Sequence, residues 1–283
     1  MHGHGNRKLN SNHPLVMGIL NVTPDSFSDG GRFLETDKAI QRGMEMIAQG
    51  ADIVDVGGES TRPGAEPVSP DEEMARVIPV IEALSPLVRV SIDTKKVPVA
   101  EVAISAGATI INDVSASLET VAAKGGVGWV AMHSRGDPKT MAGLTAYGDL
   151  LGEVRDYLRD AAMRGRRAGV EQIWVDPGIG FAKTAEQNFS LIGQLDRIVA
   201  DGTPVLVGAS RKSFLAQLDQ WPSTARGGDA QEAAEGRDQA SLAMAAWSMI
   251  AGASVLRVHD VLSAVCASRL IGPNRSVAPH KAE

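Results

Sequence analysis

Polar and charged side chains follow a series of short apolar runs in this chain, at the point where each run ends. Each run has the length and the content of a strand that is buried on both faces of a parallel sheet. An Asp in that position is often only the cap of the next helix, an interpretation that stays open for Asp113 and Asp260. The series as a whole indicates a site. Its members are Asn21, Glu59, Thr61, Arg62, Asp93, Asn112, Asp113, His133, Asp176, Ser210, Arg211, Lys212, Arg257, His259 and Asp260.

The first subset of these side chains, Asp93, Asn112 and Asp176, suits a flat heterocycle. An ionised carboxylate accepts paired N–H groups, and an amide both donates and accepts. The residue types therefore predict a pocket for a ring that carries amino, ring N–H and carbonyl groups. The alternative for each of the three is a structural polar network inside the fold.

The second subset is cationic and consists of Arg62, Arg211, Lys212, Arg257 and His259. Guanidinium and ammonium groups gathered at one mouth favour a polyanion, most simply a phosphate or a diphosphate. Arg257 and His259 alternate on an apolar strand, so both point to the same face of it. A solvated surface or a salt bridge is the alternative for a single arginine, but a charged residue inside a barrel needs a partner.

Two glycine-rich loops, 23–31 and 57–65, follow the first two strand segments. Paired glycines permit positive φ and hinge motion, so these loops are expected to close over a bound anion. Residues 178–181 bring backbone close to a ligand, with Phe181 available to pack on a ring face. The chain has no dinucleotide fingerprint, no GxxxxGK[ST] phosphate loop and no His/Cys cluster suited to zinc.

Eight strand segments alternate with eight amphipathic helical segments, and this alternation predicts an α/β fold, a (β/α)8 barrel in a single domain. A doubly wound open sheet is the alternative. In a barrel all strand ends meet at one rim, which would bring the polar side chains together. The predicted strands are 15–21, 53–57, 88–94, 109–114, 129–133, 173–177, 204–210 and 255–260. The predicted helices are 36–49, 70–84, 97–106, 118–124, 146–167, 187–200, 238–250 and 260–270.

The bulk composition fits an ordinary soluble domain. The chain has 283 residues, of which 43% are hydrophobic, and a formal net charge of −6, which does not favour nucleic acid. Cys266 is the single cysteine, and no apolar stretch reaches the ~18 residues of a membrane span. We therefore expect a cytoplasmic protein without membrane contact. Residues 15–271 form the predicted barrel, between a disordered polar arm at 1–14 and a polar tail at 272–283.

Seven segments of the chain resemble the dihydropteroate synthase family, within a match that covers about 15–270. They are NVTPDSFSDGG at 21–31, DVGGESTRPGA at 55–65, SIDT at 91–94, INDVSA at 111–116, DPGIGFAKT at 176–184, GASRKS at 208–213 and RVHDV at 257–261. The resemblance implies a transferase on a (β/α)8 barrel. It would condense 6-hydroxymethyl-7,8-dihydropterin diphosphate with 4-aminobenzoate, giving 7,8-dihydropteroate and diphosphate for folate biosynthesis. It also implies Mg2+ as a cofactor, a homodimer, and competition by sulfonamides at the aminobenzoate position.

The resemblance further implies a role for individual residues of this chain. The residues implied for the pterin are Asp93, Asn112, Met132, Asp176, Phe181 and Lys212. Those implied for the diphosphate are Asn21, Thr61, Arg62, Arg257 and His259, with Asn21 as the metal ligand. Those implied for 4-aminobenzoate are Phe27, Pro63, Ser210 and Arg211. The catalytic set is Asp93, Asp25, Lys212 and Arg257.

Two other functions stay open. A pterin-dependent methyltransferase on the same barrel would share the Asp/Asn pocket, but it would not require GGESTRPG or SRK, which this chain has at 57–64 and 210–212. A catalytically silent pterin-binding paralogue would be favoured by degraded loops, whereas both glycine-rich loops are intact in this sequence.

Overall fold

A computed structural model describes residues 13–23, 32–60, 66–136, 140–217 and 237–272. Over these ranges it has eight strands, nine α-helices and two short 3-10 turns, at Met141–Gly143 and Ser213–Gln217. The strands are β1 Leu15–Asn21, β2 Ile53–Gly57, β3 Arg89–Asp93, β4 Ile110–Asp113, β5 Gly128–Met132, β6 Ile173–Asp176, β7 Leu206–Val207 and β8 Val255–Val258. The helices are α1 Arg32–Ala48, α2 Pro70–Leu84, α3 Val97–Ser105, α4 Glu119–Gly125, α5 Leu150–Ala168, α6 Ala185–Gly193, α7 Leu195–Val199, α8 Asp238–Ile250 and α9 Val261–Ile271.

The strands follow one another around a barrel. Each pairs in parallel with its neighbours in the order β6-β5-β4-β3-β2-β1-β8-β7. A parallel bridge between Val175 and Val205 connects the two ends of that order, with the Val175 N–H donating to the Pro204 carbonyl at 2.9 Å. The predicted (β/α)8 barrel is confirmed, and the open sheet is excluded.

Two predicted elements differ from those observed. The segment 204–210 has only two residues in β7, because the chain turns at its end and Arg211 takes a φ of 58°. The segment 187–200 is split into α6 and α7 at Gln194, whose φ of −115° and ψ of 21° are not helical. The other bounds agree to within a few residues.

The barrel interior is built in layers that follow from the alternation of side chains along a strand. One layer is apolar and consists of Leu15, Met17, Ile53, Ile110, Val130, Trp174, Leu206 and Val255. The residues two positions further along five of these strands therefore face the same interior, closer to the rim. They are Asp55, Asn112, Met132, Asp176 and Arg257. Together with Asp93 at the end of β3, we call these six residues the polar layer.

The outward faces of the strands pack against helices, and side-chain caps fix the start of α2, α5, α6 and α9. The Asp260 carboxylate accepts from the Ser263 N–H at 3.1 Å and so caps α9, which is the alternative role considered for it. His13 and Pro14, the last residues of the predicted arm, bond to the Ser268 hydroxyl of α9 at 3.2 and 2.5 Å. The rest of the arm (1–12) and the tail (273–283) lie outside the described residues. No described helix combines the length and apolar character of a membrane span.

Candidate active site

The centre of the polar layer is the guanidinium of Arg257. Its Nε donates to Asp55 Oδ2 at 2.6 Å, and its Nη2 donates to Asp93 Oδ2 at 2.6 Å. Asn112 Nδ2 donates to the same Asp55 oxygen at 3.0 Å. The partner that a buried Arg257 requires is therefore a pair of carboxylates. This network joins β2, β3, β4 and β8.

Asp55 is the functional residue that the sequence reasoning missed, since residues 53–57 are predicted only as a strand. Its side chain is fully buried, and its Cα pairs with Ile19 of β1 and Ser91 of β3. The available signal was an ionisable residue in the middle of a five-residue apolar strand. Such a residue needs a cation, and the inward position of Arg257 could have suggested which one.

The buried carboxyls of Asp93 and Asp176 have pKa values near neutrality. Burial raises the pKa of Asp93 to about 7, opposed by Arg257 and aided by Asp55 and Glu73. Burial raises the pKa of Asp176 to about 6, opposed by the Gly178 N–H, which donates to its Oδ1 at 2.7 Å, and by Lys212. Both carboxyls can therefore gain or lose a proton near neutral pH, a property common at functional sites.

Arg257 keeps its charge in this setting. Burial alone would lower its pKa, but the neighbouring carboxylates of Asp55 and Asp93 raise that pKa well above its ordinary value. The site thus holds a fixed cation among carboxyls that titrate. Such a cation can stabilise an anion without any proton transfer to or from itself.

Lys212 reaches into the same mouth over the loop after β6. Its Nζ lies 4.0 Å from the centroid of the Phe181 ring. Gly180 leaves room for the lysine stem, because a Cβ there would lie 3.0 Å from Lys212 Cδ. Phe181 also packs with Met132, Met141 and Ala182 in a small apolar cluster. An ammonium over a ring face, next to apolar side chains, makes a wall on which a flat ligand can stack.

The structure brings the six residues implied for the pterin to one rim. Asp93 pairs with Asn112 across β3 and β4, and Met132 pairs with Asp176 across β5 and β6. A cavity of about 130 Å³ opens beside Asp93. Its lining includes Thr94, Ser115, Ser134, Met141 and Phe181.

The residues after β7 divide into two groups. Ser210 turns toward β8, where its hydroxyl lies 3.0 Å from His259 Nδ1 and accepts from the His259 N–H at 3.2 Å. Arg211 turns the other way, and its Nε and Nη2 donate to the Asp238 carboxylate of α8 at 2.7 and 2.8 Å. The guanidinium of Arg211 therefore braces a helix, which is the salt-bridge alternative considered for single arginines.

Glu59, in the second glycine-rich loop, is held to residues that follow this loop in the chain. Lys96 Nζ donates to Glu59 Oε2, to Glu73 Oε2 at 2.5 Å and to the Val68 carbonyl at 2.6 Å. The Val68 N–H donates to Glu59 Oε2 at 3.1 Å. The predicted residues Thr61, Arg62 and Pro63 lie between these contacts but outside the described residues, as do Asp25 and Phe27 in the first loop.

Asn21 ends β1 beside Gly57, its backbone partner on β2. Its amide oxygen would lie 3.8 Å from a Cβ at position 57, so the glycine keeps the space between Asn21 and Asp93 open. Within the described ranges, no three or more His, Cys, Asp or Glu side chains form a metal cluster.

Comparison with known proteins agrees with this geometry. Residues 17–259 match the family model described as pterin binding enzyme. The chain belongs to the pterin-binding enzyme family. A dihydropteroate synthase of Synechocystis is 46% identical over 255 residues, which cover 87% of this chain and 85% of that relative.

Two solved structures of the pterin-binding family have the same fold. A dihydropteroate synthase of Xanthomonas albilineans with 4-aminobenzoic acid superposes with a TM-score of 0.82, at 39% identity over 94% of both chains. A dihydropteroate synthase of Clostridium difficile, determined in the presence of pteroic acid, has a TM-score of 0.82 at 37% identity, over 93% of this chain and 97% of that one.

Proposed function

We propose that this protein condenses 6-hydroxymethyl-7,8-dihydropterin diphosphate with 4-aminobenzoate, releasing diphosphate and forming 7,8-dihydropteroate for folate biosynthesis. The observation that carries the proposal is the polar layer, in which the carboxyl and amide groups of Asp93, Asn112 and Asp176 surround the fixed cation Arg257. The carboxyl and amide groups of this layer suit a heterocycle, and its one cation, Arg257, suits a polyanion. The relatives named above carry the same activity in their names.

The pterin ring binds in this proposal between β3 and β6. Asp93 and Asp176 accept its amino and ring N–H groups, while the amide of Asn112 donates and accepts. Phe181 and Met132 pack against the ring faces, and Lys212 covers the ring from the side of the Gly180 loop. Because these groups are fixed on strand ends or packed against them, the ring is held with little loss of side-chain freedom.

The bond that breaks joins the pterin methylene carbon to the diphosphate oxygen. Arg257 and His259, with Thr61 and Arg62 of the second loop, stabilise the growing negative charge of the leaving group. The cation left behind is delocalised into the pterin ring, where the Asp93 carboxylate stabilises it. The amine of 4-aminobenzoate then attacks the methylene carbon and loses a proton as the C–N bond forms.

The 4-aminobenzoate site lies on the opposite side of the mouth in this proposal, with Ser210 as its described residue. Ser210 is held by His259, a proposed ligand of the diphosphate. The acceptor amine would thus lie next to the leaving group that it displaces. Phe27, Pro63 and Asp25 are expected to complete this side, and competition by sulfonamides is a prediction of the same resemblance.

Mg2+ is the proposed cofactor, and Asn21 is its proposed protein ligand. Mg2+ usually keeps several waters and binds one or two protein oxygens together with substrate phosphates. A single amide oxygen on a rim left open by Gly57 fits that donor set. When bound, the ion would neutralise part of the diphosphate charge.

We also propose that the protein is a homodimer joined through α8 and α9. These two helices contact each other and expose apolar side chains at helical spacing. Ile250 and Leu270 have 66% and 74% of their surface exposed. Leu242, Trp247 and Leu262 are also exposed. The molar mass of the native protein and of an Ile250→Glu, Leu270→Glu variant, measured by light scattering, tests this interface. A native protein with the mass of a monomer would exclude it. A cytoplasmic location stays a prediction.

The experiment that tests the function is an assay for 7,8-dihydropteroate from the two substrates, with and without Mg2+. Product formation that depends on the ion supports the whole proposal. A catalytically silent paralogue would bind the pterin but form no product. A methyltransferase would instead transfer a methyl group from methyltetrahydrofolate, and it would not consume 4-aminobenzoate.

A further inference from the structure

A buried lysine lies directly behind the wall of the proposed pterin pocket. Lys183 has only 8% of its surface exposed. Its Nζ makes contacts at 2.9 Å with the Gly178 carbonyl, at 3.0 Å with the Phe181 carbonyl and at 3.0 Å with His133 Nδ1. An ammonium has three donors and no acceptor, so these three contacts use its full capacity.

The imidazole of His133 accepts one of these bonds, and its other surroundings fit that role. It is buried at the end of β5, where the Tyr157 ring packs edge-on at 4.9 Å between centroids. Burial, together with the charges of Lys183 and Arg135, lowers the pKa of His133 to about 3. The ring is therefore neutral at physiological pH, and its Nδ1 can accept a hydrogen bond from the Lys183 ammonium.

The turn that Lys183 contacts, residues 178–182, has a backbone with few other conformations available to it. Gly178 has a φ of 66°, and a Cβ there would lie 1.9 Å from the His133 carbonyl oxygen. Ala182 has a φ of 47°, which is unfavourable for a residue with a side chain. From the other side, the Asn188 amide oxygen accepts from the Gly180 N–H at 2.7 Å. The turn 178–182 is thus a strained segment that is fastened at several points.

The fastened turn carries two groups of the pterin pocket. The Gly178 N–H donates to Asp176 Oδ1 at 2.7 Å, so the position of this N–H orients the carboxylate. The Phe181 ring lies under Lys212, and the Phe181 carbonyl is one of the acceptors of Lys183. The Ser210 hydroxyl instead contacts His259, on the opposite side of the mouth.

Burying an ammonium at this position costs free energy, so a role in packing alone does not explain a lysine here. Burial lowers the pKa of Lys183 to about 7, with Asp176 opposing the shift and Arg135 and Lys212 adding to it. None of its three hydrogen-bond acceptors is a carboxylate. An apolar side chain of the same length would fill this volume without the cost of desolvating a charge.

We propose that Lys183 is a positioning residue of the pterin site, whose ammonium fastens the turn 178–182 to the end of β5 and so places the Asp176 carboxylate and the Phe181 ring. The inference rests on the proposed function, because it takes Asp176 and Phe181 as pterin ligands. It predicts that loss of the ammonium impairs the pterin half of the site and leaves the 4-aminobenzoate half intact.

The test compares Lys183→Met with Lys124→Met, which removes an exposed lysine from α4. The dissociation constant of 6-hydroxymethylpterin, measured by fluorescence, should rise at least tenfold in Lys183→Met and stay unchanged in Lys124→Met. The KM for 4-aminobenzoate should stay within twofold in both. A general loss of structure would shift both constants together. Equal losses, or unchanged pterin binding, would overturn the inference.

Lys183→Gln decides the matter if the methionine variant does not fold. Its neutral amide can donate two of the three hydrogen bonds. We therefore expect a pterin dissociation constant above that of the native protein but below the tenfold rise expected for Lys183→Met. Native-like pterin binding by Lys183→Gln would overturn the inference. Failure of the proposed function has a separate signature: the native protein would bind the pterin without forming dihydropteroate, and the effect of Lys183 on pterin binding would be measured in the same way.

Discussion

Asp55 and Arg257 lie 202 residues apart in the chain and are joined inside the barrel, where the Arg257 Nε donates to the Asp55 Oδ2 at 2.6 Å. Asp55 faces no solvent, whereas Arg257 extends from it to Asp93 at the rim. The buried carboxylate thus fixes the direction in which the arginine presents its other donors. A cation that is oriented before the substrate binds need not reorganise as the leaving group gains charge.

Asp55→Asn should reduce both stability and activity, because it leaves the buried guanidinium with one carboxylate partner and weakens the contact to Asn112. Removing one partner of a buried ion pair costs about 3–5 kcal/mol. We expect a loss of that order in the free energy of unfolding, measured by urea denaturation, and a lower kcat/KM for the pterin diphosphate. Asp156→Asn is the matched control, since its carboxylate is two-thirds exposed. Native-like stability of Asp55→Asn would show that the pair contributes little.

Asp93→Asn should lower turnover strongly, in addition to weakening pterin binding. The amide keeps the size of the side chain, but it cannot stabilise the cation that forms on the pterin as diphosphate leaves. Loss of one preorganised electrostatic group typically lowers kcat by about 100-fold or more. Steady-state kinetics and circular dichroism on the same samples check the prediction, which requires a native spectrum with a strongly reduced kcat. Turnover near that of the native protein would contradict the role of Asp93.

The fold and much of the rim could be predicted from local pattern. Apolar runs alternating with amphipathic segments define the barrel, and the side-chain period of two places Asp93, Asn112 and Asp176 on its inner face. Local pattern could not identify which ionisable residues pair with each other when they lie far apart in the sequence. Asp55 sits within an apolar strand, and only the closed barrel brings Arg257 to it.

Arg211 and Lys183 show a second kind of structural feature that could not be predicted from the sequence. The direction of Arg211 depends on a positive φ and on Asp238, a residue of a helix that follows much later in the chain. Lys183 lies in the family segment at 176–184, and nothing in that segment indicates that the lysine is buried behind Phe181. Both outcomes depend on backbone conformation that no residue type specifies by itself.

Pterin binding should weaken as the pH falls from about 7 through about 6. Burial raises the pKa of Asp93 to about 7 and that of Asp176 to about 6, so both carboxyls become protonated over this range and lose acceptor capacity for the ligand N–H groups. A plot of pterin affinity against pH should fall on the acid side with a midpoint in this region. Asp176→Asn should bind weakly and with a flatter profile. A native profile that is level from pH 5 to 8 would contradict the assignment.

The same group should have the opposite effect on stability. The folded pKa of Asp176 lies above its ordinary value of 3.8, so the folded state binds the proton more tightly than the unfolded chain does. Its contribution to the free energy of unfolding is therefore complete below about pH 3.8 and is lost as the pH rises to about 6. Denaturation of the native protein and of Asp176→Asn across this range isolates the contribution.

Arg211→Gln should affect stability more than the KM for 4-aminobenzoate. The guanidinium makes two bonds to Asp238, and the Arg211 N–H donates to the Ser241 hydroxyl at 2.8 Å. Asp238→Asn should therefore resemble Arg211→Gln, and the double variant should lose less than the sum of the two. Thermal denaturation and aminobenzoate kinetics on the three variants test this. A selective rise in KM for Arg211→Gln alone would favour the substrate role that the resemblance implies.

Lys96→Met should weaken binding of the diphosphate without affecting the pterin ring. Lys96 joins Glu59, Glu73 and the Val68 carbonyl, and so holds the two ends of the segment in which Thr61 and Arg62 are the predicted diphosphate ligands. Calorimetry with two ligands separates the effects: affinity for pterin diphosphate should fall about tenfold, a loss of about 1.4 kcal/mol, whereas affinity for 6-hydroxymethylpterin should not change. Lys124→Met serves as the control. Equal weakening for both ligands would mean that Lys96 supports the barrel rim as a whole, through its contact with Glu73 on α2.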